Sequence, residues 1–117
     1  MRETKVTIPL INNLSVNHYL IKTSHGFFKR KEVKEWQEQL GWLVKQYHLE
    51  DWKMPLHITC NLQQNDNRTR DLSNFSKVCC DALEEVTGIN DSNFRWHDGT
   101  ITKGEPSQLM LVIKEAI

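Results

Sequence analysis

Leu56-His57-Ile58-Thr59-Cys60-Asn61-Leu62-Gln63, followed shortly by Arg68-Thr69-Arg70-Asp71-Leu72-Ser73-Asn74-Phe75-Ser76-Lys77, is the stretch on which the fold turns. In its first half Leu56, Ile58, Cys60 and Leu62 alternate with His57, Thr59, Asn61 and Gln63, the period-two pattern of a strand with one buried face. Cys60 goes inward with the apolar set, and His57 reads as a plain surface histidine. Gln63 to Arg70 is a polar, basic loop. A helix is expected from about Leu72 to Val86: Phe75, Val78, Cys79, Ala82, Leu83 and Val86 share one face, with Asn74, Lys77, Asp81 and Glu84 opposite. Gly88 stops it. Strand thus hands over to helix through a turn that carries two arginines, an aspartate, an asparagine and a lysine.

Upstream, Val33, Trp36, Leu40, Leu43, Val44 and Tyr47 mark an earlier helix, with Glu32, Lys34, Glu35, Gln37, Glu38 and Lys45 on its polar face. Lys29-Arg30-Lys31 opens that helix. Positive charge opposes the dipole there, so the run is either a solvated helix start or a phosphate contact. Before it, Val6 to Leu10 is a first strand ended by Pro9, and Tyr19–Lys22 pairs with Phe27-Phe28 across the turn Ser24-His25-Gly26. Downstream, Phe94–Ile101 and Leu109–Ile113 read as a terminal antiparallel pair. This order predicts an α+β domain, a mainly antiparallel sheet with two helices packed on one face.

At 117 residues the chain is expected to form a single domain, 1–117, long enough to bury about two-thirds of its unfolded surface. The 15 basic and 15 acidic residues cancel, so any attraction for nucleic acid must come from a local patch. Cys60, Cys79 and Cys80 form no spaced framework, which fits a reducing, cytoplasmic compartment. The N-terminus does not read as a signal peptide, and no apolar run approaches the roughly 20 residues of a membrane helix.

The residues between the strand and the end of the second helix have ordinary explanations when taken singly. Asp71 is a good N-cap. Lys77 and Asp81 are an i,i+4 pair of little energetic weight, and Asp91 is a turn aspartate. Together they match what magnesium prefers: one or two carboxylates, with water and phosphate oxygens completing the shell. Asp71 and Asp91 can converge only if the strand after the helix pairs beside the strand before it, which the element order permits. A lysine nearby would stabilise charge developing on a phosphate, and Arg68 and Arg70 would clamp neighbouring phosphates.

The run Arg70-Asp71-Leu72-Ser73-Asn74-Phe75-Ser76-Lys77, then Asp81-Ala82-Leu83, then Asp91 and Phe94, resembles the RusA family of Holliday junction resolvases. Val6-Thr7-Ile8-Pro9, Asn17-His18-Tyr19 and Thr102-Lys103-Gly104 are similar to it in the same order. The resemblance implies a small homodimeric endodeoxyribonuclease that uses Mg2+ or Mn2+ to cut four-way DNA junctions by paired, symmetric nicks. It implies Asp71 and Asp91 as metal ligands, Lys77 as a catalytic lysine, and Ser73, Asn74 and Asp81 as supporting residues. Lys29, Arg30, Lys31, Arg68, Arg70 and Lys103 would contact branched DNA. Ser73 stands where the family pattern has a second aspartate, and Asn90-Asp91 where it has a paired one. The alternative is a junction-binding module on the same fold that has lost cleavage through Ser73.

Overall fold

The computed structural model describes residues 1–117. Strands β1 (Glu3–Pro9), β4 (Leu56–Gln64), β5 (Phe94–Lys103) and β6 (Gln108–Lys114) form one mixed sheet in the order β1-β6-β4-β5. β2 (Leu20–Thr23) and β3 (Gly26–Lys29) form a separate hairpin. The helices are α1 (Lys31–Lys45) and α2 (Ser76–Thr87). No helix is long and apolar enough to cross a membrane.

One face of the sheet supplies the core. Val6 and Ile8 from β1, Leu56, Ile58, Cys60 and Leu62 from β4, and Leu109, Leu111 and Ile113 from β6 are buried on it. Val33, Trp36, Leu40 and Val44 of α1 and Val78, Cys79, Ala82 and Leu83 of α2 complete that core. Trp36 satisfies its indole N–H on the Pro9 carbonyl at 2.8 Å, tying α1 to the end of β1. The expected α+β architecture, the hairpin and the stop at Gly88, which sits in the left-handed region at φ 76°, are all present.

Three details differ from the sequence expectations. The last two strands are not partners. β6 lies antiparallel between β1 and β4, and β5 pairs parallel to the far side of β4. The second helix is split, because Asp71 caps a 3-10 turn, Leu72–Phe75, and α2 proper starts at Ser76. That turn takes Asn74 off the face that carries Lys77 and Asp81. Gln37, assigned to the polar face of α1, is buried where α2 crosses: its Nε2 donates to the Val78 carbonyl at 2.9 Å, while its Oε1 finds no partner. The helices approach closely enough there that a Cβ on Gly41 would meet the Val86 side chain at 3.3 Å.

The parallel β4–β5 register shifts between Cys60 and Leu62. Asn61 fills the irregularity, its Oδ1 accepting from the Thr100 N–H at 2.9 Å and the Thr100 hydroxyl at 3.2 Å. Gly99 is what lets the strands close over it, since a Cβ there would lie 2.1 Å from Asn61 Oδ1 and 2.7 Å from the Cys60 carbonyl. Gly99→Ala is therefore expected to lower unfolding free energy by about 1–3 kcal/mol, read as a drop in urea midpoint at unchanged m-value. An unshifted midpoint would mean that the bulge does not constrain this position.

Candidate active site

The chain after β4 turns back on itself, so that the 3-10 turn Leu72–Phe75 packs against both β4 and β5. The turn Asp91–Asn93 leads into β5 and contacts α2. These two returns place Ser73, Lys77, Cys80, Asp81 and Asp91 around one open cavity of about 280 Å³, walled by Val16, Ser76, Phe94 and Trp96. Asp71 lines a second cavity of about 240 Å³, together with Arg68, Arg70 and Asn74. Ser73 joins the two: it lines the first, and its hydroxyl donates to Asp71 Oδ1 at 2.7 Å.

Asp71 does what its local sequence position dictates. It is an N-cap, its Oδ1 also accepting from the Ser73 N–H at 3.1 Å. In the Asn90-Asp91 pair the two side chains divide the labour. Asn90 caps its own turn by accepting from the Ser92 N–H at 2.9 Å, and Asp91 faces the cavity. Arg95 braces that turn by donating to the Ser92 carbonyl at 2.7 Å.

Lys77 and Asp81 form an ion pair at 3.2 Å. The hydrogen bond that Lys77 donates to Asp81, and then the charge of Asp81, raise the lysine above its ordinary pKa, with Tyr19 and Asp91 adding to the effect. Lys77 is thus a held cation over the neutral range and not a proton acceptor. Cys80, three positions on from Lys77, was not anticipated at the site; nor were Val16, Ser76 and Trp96. Its thiol is pushed up to about 11, by burial first, so it stays protonated and offers no thiolate. The remaining donors are carboxylate and hydroxyl oxygens, the set that suits a hard divalent cation.

The basic residues divide as well. Arg70 is committed internally: its guanidinium grips Asp66 through two bonds at 2.7 and 3.1 Å and donates to Gln64 Oε1 at 2.7 Å. Arg68 is exposed at the cavity rim, and Lys103 bonds Asn67 on the same loop. Lys29, Arg30 and Lys31 lie at the junction of β3 and α1, where Arg30 Nε donates to the His18 carbonyl at 2.7 Å. His57 is not a lone surface histidine. It stacks on His97, with Nδ1 2.8 Å from the partner Nε2.

An open cavity of hard oxygen donors beside a fixed ammonium is the equipment of a hydrolase that works on phosphate esters with a metal's help. The sequence matches the Endodeoxyribonuclease RusA family over residues 12–106, and the chain belongs to that family. It is a Holliday junction resolvase, a metal-dependent hydrolase of DNA phosphodiesters. No curated protein matches the chain.

The Arg70 grip has a measurable signature. Its hydrogen bonds and charge lower the Asp66 carboxyl to about 2. A depressed carboxyl keeps its ion pair at all higher pH and loses it only as pH falls through that value. Carboxyl chemical shifts should show Asp66 titrating near 2, and Arg70→Ala should raise it toward the ordinary value of about 4, the Arg68 N–H and charge still holding it somewhat below. An Asp66 that titrates near 4 in the wild type would show that the grip does not form.

Proposed function

We propose that the chain cuts four-way junctions by paired symmetric nicks, as a homodimer, with Asp71 and Asp91 holding Mg2+ or Mn2+ and Lys77 as the catalytic cation. The observation that carries this assignment is the single cavity shared by Lys77, Asp81, Asp91 and Ser73, with Asp71 one hydrogen bond behind Ser73. When bound, such an ion supplies Lewis-acid polarisation of the scissile phosphate and a water acidified enough to attack it.

The side chains have distinct parts. Lys77, fixed by Asp81, faces the phosphate and balances the negative charge that builds on it. Asp81 is a positioning residue, since its carboxylate is spent on Lys77. Ser73 takes the place of a carboxylate by orienting Asp71, which fixes which oxygen of Asp71 is free to bind. Arg68 on the loop after β4, and Lys103 at the end of β5 bonded to Asn67 of that loop, meet the DNA backbone; Arg70 stiffens the loop without touching DNA. A two-fold dimer supplies two equivalent sites for a two-fold junction.

The test is nicking of a synthetic four-way junction with added magnesium. Asp71→Asn and Asp91→Asn should each cut at least ~100-fold more slowly while still binding the junction. Lys77→Met should lose roughly 100- to 1,000-fold, and Lys77→Arg should recover part of that, because a charge is needed and not a base. Wild-type protein that binds but never nicks with any divalent ion would favour the non-cleaving module. Ser73→Ala should raise the magnesium concentration for half-maximal rate by roughly 10-fold. An unchanged requirement would remove Ser73 from the site.

A further inference from the structure

The β2–β3 hairpin is a two-stranded ribbon outside the main sheet, and ribbons of that kind are marginal without packing. This one leaves large apolar side chains in solvent: Phe27 is 66% exposed, Phe28 52%, Ile21 40% and Leu20 36%. Exposed apolar area on this scale marks a binding surface. Register assigns the side chains to faces. Leu20 pairs with Lys29 and Lys22 with Phe27, so one face sets an aromatic ring beside two ammonium groups; Ile21 pairs with Phe28 on the other. A self-association patch gathers its apolar residues on one side and is poor in lysine at its centre. This ribbon does neither.

Charge and position narrow the partner. From residue 4 to residue 31 there are five basic side chains (Lys5, Lys22, Lys29, Arg30, Lys31) and no acidic one, in a chain whose net charge is zero. The ribbon also springs from the wall of the active site. Val16 lines the Lys77 cavity and its N–H donates to the Asn74 carbonyl at 2.9 Å, while the Arg30 N–H at the base of β3 donates to the buried Tyr19 carbonyl at 3.2 Å. One aromatic ring set between lysines and a second on the opposite face of the ribbon, beside a phosphodiester-cutting cavity, are suited to stacking on bases while the lysines hold the neighbouring phosphates.

We propose that the β2–β3 hairpin is a branch-point probe: Phe27 and Phe28, on its two faces, stack on bases unpaired where the strands of the junction cross, and so place the adjacent phosphodiester in the cavity. The idea rests on the junction being the substrate. Intact duplex keeps its bases stacked and gives both rings nothing to meet.

The test uses the full chain with metal chelated, so that binding is read without cleavage. Affinities are measured for a four-way junction carrying 2-aminopurine at the crossover and for a duplex of the same sequence. Wild type should prefer the junction and change the 2-aminopurine emission. Phe27→Ala/Phe28→Ala should lose that emission change and roughly 10-fold or more of the junction-to-duplex preference. Phe27→Tyr/Phe28→Tyr, which keeps both rings, should retain both, and this separates lost stacking from a damaged hairpin. Wild-type preference and emission change in the alanine variant would overturn the proposal. So would a tyrosine variant as defective as alanine, a wild type with no junction preference, or an alanine variant that is monomeric where wild type is dimeric. Failure of the catalytic assignment reads differently: it would appear as Asp71→Asn still nicking, with the alanine variant's binding defect intact.

Discussion

Parallel pairing of β5 against β4 is the constraint from which the site follows. Two parallel neighbours cannot be joined by a tight turn, so the chain must leave the sheet, cross it and come back, and α2 is that crossing. The two ends of the crossing are where Asp71 and Asp91 sit. An antiparallel hairpin at this point would have joined β4 to β5 directly, with no room for a helix whose exposed face carries Lys77 and Asp81. The register shift at Asn61 and the missing side chain at Gly99 keep the pair closed despite its irregularity. Substitutions far from the cavity can therefore act on it through strand pairing alone.

Within the site, structural and chemical roles overlap in single residues. Asp71 is a helix cap whose second oxygen is left over, and Asn90 takes the capping role at the next turn so that Asp91 does not have to. Lys77 gains position from its partner: an exposed ammonium on a helix would sample many rotamers, whereas the contact with Asp81 narrows them. The buried thiols of Cys60 and Cys79 lie behind this surface, Cys60 pushed up to about 12 by burial, as inert core volume.

Much of this was legible in the residues, for identifiable reasons. The alternation of β4 and the apolar face of α2 are strong period signals; β4 forms where its pattern puts it, and α2 does from Ser76 on, after the 3-10 turn that replaces its expected first turn. The N-cap at Asp71 and the stop at Gly88 are local chemistry and were equally readable. What could not be read was non-local. Neither β5 nor β6 carries in its own sequence the identity of its neighbour, so adjacency in the chain suggested a hairpin where the sheet inserts β4 between them. Gln37 looked polar because its burial depends on where α2 crosses, and Arg70 looked free because Asp66 was not recognised as its partner. Cys80 lines the cavity through its position relative to Lys77 on α2, a relation visible only once the cavity's location is known.

Zero net charge at first argues against a DNA-cutting enzyme, and the distribution removes the difficulty. Five of the fifteen basic residues and none of the fifteen acidic ones lie between residues 4 and 31, so the rest of the chain is acidic on balance. Lys31 is paired with Glu35 at 4.0 Å, so the cations a phosphate near the hairpin meets first are Lys22, Lys29 and Arg30, whose attraction acts over about 10 Å at ordinary ionic strength. So local a charge suits an enzyme that must not bind every duplex it meets. A uniformly basic surface would hold linear DNA by counterion release alone, whatever its shape. A small basic cluster on a ribbon with exposed rings gives weak attraction to any duplex, and adds to it only where bases have come out of the stack.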